Sequence, residues 1–134
     1  MESQYSRNDS LIAHILGQMI EACGLITSWN EKVNSSDDYL TSPDGMQKMA
    51  ASCMLIESIG EGGKKIDRLT QGLLYDKFPD TSWKEIMGLR DHIAHGYFNL
   101  DADIIFDVVK TEIPSLQNTL IDLENLFQSG SPDT

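Results

Sequence analysis

The sequence predicts an all-α protein, an up-and-down bundle of four to five helices. Three observations carry that expectation. Apolar residues recur at spacings of three and four in every long segment. No stretch alternates apolar with polar residues as a half-buried strand would. No internal repeat or long low-complexity region breaks the pattern. At 134 residues the chain holds one domain and one core. That domain is expected over residues 1–128, followed by a short disordered tail at 129–134 with the sequence "SGSPDT".

The first helix is expected over residues 10–29, where Leu11, Ile12, Ile15, Met19, Cys23 and Ile26 mark one buried face and Asp9 or Ser10 supplies the cap. His14 lies beside that stripe and is assigned no chemistry. Residues 30–45 are polar and read as a connecting loop. They end in Ser42, Pro43, Asp44 and Gly45, a helix-start vocabulary because proline is tolerated in a first turn.

A second helix follows through Met46, Met49, Cys53, Ile56 and Ile59, extending toward Ile66 and Leu69 across Gly60, Gly62 and Gly63. Glycines inside a helix cost about 1 kcal/mol each relative to alanine. The segment therefore either bends or accepts the close approach of a neighbouring helix or a ligand. The third helix is expected to begin at Ser82, because "SWKE" has the Ser-x-x-Glu form of a capping box. Trp83, Ile86, Met87 and Leu89 are its core contacts, and it ends near His95 with Gly96 in the left-handed conformation. The fourth runs from Asp101 through Ile104, Ile105, Val108, Val109, Ile113, Leu116, Leu120, Leu123 and Phe127, kinked at Pro114.

Ten Lys plus Arg face 21 Asp plus Glu, a formal net charge of -11, which disfavours non-specific attraction to nucleic acid because that attraction is mostly electrostatic. Any polyanion must meet a local exception, and Lys64, Lys65 and Arg68 make the least acidic part of the surface. Cys23 and Cys53 fall inside apolar helical patterns and read as buried thiols, with neither a zinc site nor a disulfide scaffold suggested. No apolar run approaches the roughly 18 to 20 residues of a membrane span. The N-terminus lacks the apolar region of a signal peptide, so a cytoplasmic address is expected.

Chemistry concentrates in "RDHIAHGY", residues 90–97. Arginine is permanently cationic and offers a planar fork that fits phosphate oxygens. Histidine donates or accepts a proton near neutral pH. Together they suit phosphodiester cleavage without a metal, in which a ribose 2′-OH attacks the adjacent phosphorus. The plain alternative is that basic residues favour the last turn of any helix, with Arg90 paired to Asp91, Glu85 or a residue of another helix.

The spacing of Arg90, His95 and Tyr97 resembles the Arg-x4-His-x-Tyr motif of the HEPN superfamily, specifically the HepT-like ribonuclease toxins of HEPN/MNT toxin–antitoxin pairs. "IGEGGKK" in the second helix and "SWKEIMGLRDHIAHGYFNLD" around the third are similar to the same family, and the resemblance spans residues 9–127. It implies a HEPN-like fold in which Arg90 binds and polarises the scissile phosphate of RNA and His95 transfers protons. Asp91, at a position where Asn is also familiar, would help orient the pair. Glu61 and Lys64 are candidates for a contribution from the second helix. No metal or cofactor is implied, and His92 inherits no role.

Arg90 and His95, five apart, point about 140° from each other on an ideal helix. The resemblance implies a homodimer whose two motif helices share a cleft, and so a C2 dimer with a composite site. It also implies a partner, a minimal nucleotidyltransferase antitoxin that transfers AMP from ATP to Tyr97. The added charge and bulk would occupy the place of an RNA phosphate. Tyr97 also reads simply as a half-buried phenol closing the helix. The leading expectation is thus a metal-independent endoribonuclease toxin. The alternative is a catalytically inactive module that binds the nucleotidyltransferase, which the charge of -11 favours slightly. A helical bundle without chemistry is the third reading.

Overall fold

The computed structural model describes residues 2–72 and 83–129. Within them lie α1 (Glu2–Trp29), α2 (Pro43–Leu69), α3 (Trp83–Ala94), α4 (Ala102–Asp107) and α5 (Ile113–Ser129). Short 3-10 turns occupy Ser36–Tyr39 and Tyr97–Asn99, and no strand occurs among the described residues. The all-α bundle expected from the apolar spacing is the fold that forms. The proposed cap at Ser82 and residues 130–134 of the tail lie outside the described residues.

α1 is the central element, packed along both α5 and α2. Ile12, Ile15, Leu16, Met19, Cys23 and Ile26 are all buried on it. Leu11, expected in that face, is instead 38% exposed, because Leu16 lies four residues after Ile12 and fills the stripe. The helix begins at Glu2, so Asp9 and Ser10 sit in its interior and cap nothing. Against expectation, Asn8–Trp29 is long and apolar enough to cross a membrane. One face of it supplies Ile12, Ile15, Leu16, Met19, Cys23 and Ile26 to the bundle core, as befits a helix with neighbours on two sides, while Leu11, Leu25 and Trp29 lie outside that core.

Residues 30–45 form more than a connecting loop. Val33 and Tyr39 are buried there, and Asn30 is a buried polar hub. The Asn30 amide donates to the Ile26 carbonyl (2.8 Å) and to Ser52 Oγ (2.9 Å). Its Oδ1 accepts the Tyr39 hydroxyl at 2.6 Å, so every polar atom of the buried side chain has a partner. Lys110 Nζ donates to the Asn30 carbonyl (2.6 Å), giving the C-terminal end of α1 the cation that its own last turn lacks.

α2 starts as the sequence predicts, with Ser42 Oγ accepting the Gly45 amide at 3.0 Å and Pro43 in the first turn. It continues without a break through its three glycines, because close approach and not bending explains them. A Cβ at Gly62 would stand 3.0 Å from Met19 of α1, and one at Gly63 would overlap the Trp83 ring of α3. Met49, Cys53, Ile56, Ile59 and Ile66 are buried as expected, whereas Met46 is 46% exposed in the first turn.

The last apolar run is divided. A π turn, Val108–Glu112, joins α4 to α5, with the Ile113 amide donating to the Val108 carbonyl. Pro114 has no amide to give the regular ladder, and the wider turn lies directly before it.

Candidate functional site

Trp83 anchors α3. Its buried ring fills the space that Gly63 leaves on α2, and Ile86 and Leu89 follow on the same buried face. Two turns after Trp83, Arg90 meets α2 in the same way. Its aliphatic stem crosses Gly60, where a Cβ would stand 2.5 Å from Arg90 Cδ. One residue further along α2, Glu61 pairs with the Arg90 guanidinium. Arg90 Nη1 lies 3.7 Å from Asp91 Oδ1, and Nε is buried with no hydrogen-bond partner among the described residues. The arginine is thus held from the side of its stem while its charge meets carboxylates that are mostly exposed.

α3 ends at Ala94, and Gly96 follows with φ +116°, a conformation that side chains rarely adopt. This is the glycine-terminated end expected from the sequence. His95 is exposed just beyond the helix, and its Nδ1 lies 2.8 Å from the Asp91 carbonyl. A carbonyl only accepts, so Nδ1 carries a proton in this contact. The Nε2 of the neutral ring then keeps its lone pair, the form that takes a proton from a hydroxyl.

Asp91 therefore touches both neighbours by different atoms. Its carboxylate approaches Arg90, and its backbone carbonyl, not its side chain, orients His95. Glu61, brought in from α2, meets Arg90 directly. Lys64 is exposed three residues further along α2. Tyr97 opens the 3-10 turn Tyr97–Asn99 that follows Gly96.

Sequence reasoning foresaw one further contributor only as a close approach and missed a second. Gly60 is the seat of Arg90, and the run of glycines was its signal. His92 Nε2 accepts the Asp101 amide at 3.1 Å across the turn that carries His95. Nothing in the sequence distinguished that histidine from a solvated one.

Cys23 and Cys53 are free and buried, and burial pushes both thiols up to about 12. Among the described residues, no group of three or more His, Cys, Asp or Glu lies close enough to hold a metal ion.

A family model described as "Ribonuclease HepT-like" matches residues 19–123. The chain is 29% identical over 102 residues to a probable ribonuclease HepT of Thermococcus cleftensis, covering 76% of this chain and 86% of that protein. It is 34% identical over 62 residues to a protein of Methanocaldococcus jannaschii named as a candidate RNase, covering 46% of this chain and 53% of the relative. A candidate RNase of Caldanaerobacter subterraneus is 31% identical over 83 residues, 62% of this chain and 68% of that protein. The chain spans about half the length of several of these curated relatives, 53%, 50% and 48% in three from Methanocaldococcus jannaschii. No solved structure matches the chain.

Proposed function

We propose, from the premise that this chain belongs to the HepT-like ribonuclease family, that it is an RNA endonuclease whose site is built on Arg90 and His95. The observation that carries this is the pair of contacts made by Asp91 at the end of one helix, its carboxylate approaching the Arg90 guanidinium and its backbone carbonyl meeting the His95 imidazole. In the reaction, His95 Nε2 takes the proton of a ribose 2′-OH as that oxygen attacks the adjacent phosphorus. Arg90 stabilises the charge that builds on the non-bridging oxygens. The bond to the 5′ oxygen breaks and that oxygen takes up a proton, so that the one removed from the 2′-OH is returned overall, leaving a 2′,3′-cyclic phosphate and a 5′-hydroxyl. The nucleophile is internal to the RNA, so this chemistry calls for no metal and no cofactor.

The site is composite in this proposal, formed by two copies related by a C2 axis. The reason is geometric: Arg90 faces α2, whereas His95 stands past the last residue of α3. A second copy supplies the complementary group to one phosphate. Tyr97, two residues after His95, is the acceptor for AMP from a minimal nucleotidyltransferase antitoxin, and the resulting phosphodiester blocks the phosphate position. The toxin–antitoxin setting and a cytoplasmic location belong to the same proposal.

The Arg90–Glu61 pair and the net charge of -11 favour a second reading, in which the module mainly docks its nucleotidyltransferase. One experiment separates the two. Protein shown by intact mass to carry no nucleotide on Tyr97 is incubated with mixed RNA in excess chelator, beside His95→Ala. Cleavage by the wild type alone, with 2′,3′-cyclic phosphate ends, supports the ribonuclease. Intact RNA with the unmodified wild type supports the docking module.

A further inference from the structure

We propose that His92 is a positioning residue for the reaction, an inference that rests on the ribonuclease reading of Arg90 and His95. His92 Nε2 accepts the Asp101 amide at 3.1 Å, joining the last turn of α3 to the N-cap residue of α4 nine positions later. The acceptor is the nitrogen lone pair, so the ring is neutral and its proton lies on Nδ1. Asp101 is itself fixed. Its Oδ1 accepts from the amides of Asp103 (2.9 Å) and Ile104 (3.4 Å) as the cap of α4. The His92 bond therefore ties the end of α3 to an anchored point.

Between those two points runs the turn that presents the chemistry. It begins with His95 and Gly96 and contains Tyr97. Its internal bonds are short in reach. The His95 amide donates to the His92 carbonyl (3.2 Å), the Gly96 amide to Ile93 (3.0 Å) and the Asn99 amide to Gly96 (3.2 Å). The Asn99 side chain reaches the His95 carbonyl only at 3.4 Å. Each of these spans three or four residues; with the His95 Nδ1–Asp91 carbonyl contact they tie the start of the turn to α3, and none of them ties it to α4. The His92–Asp101 bond closes the whole turn and fixes its direction relative to Arg90.

The effect falls on chemistry more than on binding. Arg90 is seated on α2 independently of the turn, so phosphate capture survives when the turn loosens. Proton transfer by His95 does not, because a misplacement of about 1 Å can cost a hundredfold in rate.

The test compares wild type, His92→Leu and His92→Gln on a fluorophore-quenched single-stranded RNA in chelator. Glutamine places an acceptor oxygen the same number of bonds from the backbone as Nε2, whereas leucine removes it. The expected result is a kcat about tenfold lower in His92→Leu with KM changed less than about twofold, and recovery of most of the rate in His92→Gln. Amide exchange at Asp101 quickens in the leucine variant only. Thermal melts give the folded fraction, and kcat is expressed per folded molecule, which a purely stabilising role of His92 would leave unchanged. Equal kcat in wild type and His92→Leu overturns the inference and leaves the ribonuclease standing. Equal loss in both variants, with Asp101 exchange unaltered, overturns it as well. A wild type that leaves RNA intact overturns the ribonuclease reading itself, and the inference with it.

Discussion

Arg90 and Gly60 are in contact across two helices: the arginine stem lies where Gly60 has no side chain, and a Cβ there would stand 2.5 Å from Arg90 Cδ and 3.3 Å from Cγ. Alanine at position 60 must push the stem away from α2 and carry the guanidinium off Glu61. Gly60→Ala is expected to lower RNA cleavage at least about tenfold, with a stability cost of about 1 to 3 kcal/mol from overpacking. Gly88, on the exposed side of α3, is its control, since nothing among the described residues lies within 4 Å of a Cβ there. Gly88→Ala should stabilise the protein by about 0.5 to 1 kcal/mol through helix propensity. Urea melts and single-turnover cleavage measured together check the pair. Full activity in Gly60→Ala would mean that the seat of Arg90 does not matter.

In the proposed reaction, Glu61 and an incoming phosphate compete for one guanidinium. The carboxylate side chain is 57% exposed, so the pair adds little to stability, within about 1 kcal/mol. Its effect on binding is expected to be larger, because the repulsion falls where the proposed site would hold the RNA phosphate. Glu61→Gln should leave the melting temperature nearly unchanged and tighten RNA binding severalfold, most visibly at low salt. Binding to His95→Ala with and without the second substitution measures this free of cleavage. Weaker binding in the glutamine variant would show that Glu61 holds Arg90 in place and does not compete for it.

The polar hub around Asn30 should be the most sensitive point of the core. Tyr39→Phe removes one hydroxyl and leaves Asn30 Oδ1 buried without its donor, at a cost of about 1 to 3 kcal/mol. Asn30→Ala strands the Tyr39 hydroxyl and Ser52 together and should cost more than Tyr39→Phe. Equilibrium unfolding of the two variants decides the order, and a neutral Tyr39→Phe would contradict the hub.

The sequence was most legible where spacing alone decides the outcome. The stripes of α1 and α2, the Ser42 cap and the helix end at Gly96 each follow from local chemistry that a linear reading contains. The Asn30 hub was not legible. Its partners come from the loop, from α2 and from the π turn, and only folding brings Tyr39, Ser52 and Lys110 to one point. The site divides in the same way. Arg90, His95 and Tyr97 stand out by type and spacing, whereas Gly60 acts through its missing side chain and His92 through a bond to a backbone amide. The run of glycines marks the place of the first without naming its partner, and the second leaves no mark that a solvated residue would lack.

Alkaline pH should unfold this protein earlier than its acidic composition alone suggests, because three buried groups resist ionisation. Burial pushes the thiols of Cys23 and Cys53 up from 9.0 to about 12. Burial, with a smaller contribution from neighbouring Cys53, raises the Tyr39 hydroxyl above its usual 10.0. Below about pH 9 all three are neutral in the folded and unfolded chains, and the stability linked to them is fully present. As pH rises from about 9 toward 12, the unfolded chain releases protons that the folded chain retains, so stability falls across that window. Urea midpoints at about pH 7.5 and about pH 10.5 should differ clearly in the wild type and less in Cys23→Ala combined with Cys53→Ala. The same burial makes both thiols slow toward alkylating reagents in the native protein at about pH 8, with rates that rise in urea as the fold opens. Rapid native alkylation, or a midpoint as high at about pH 10.5 as at about pH 7.5, would show that these groups are open to water.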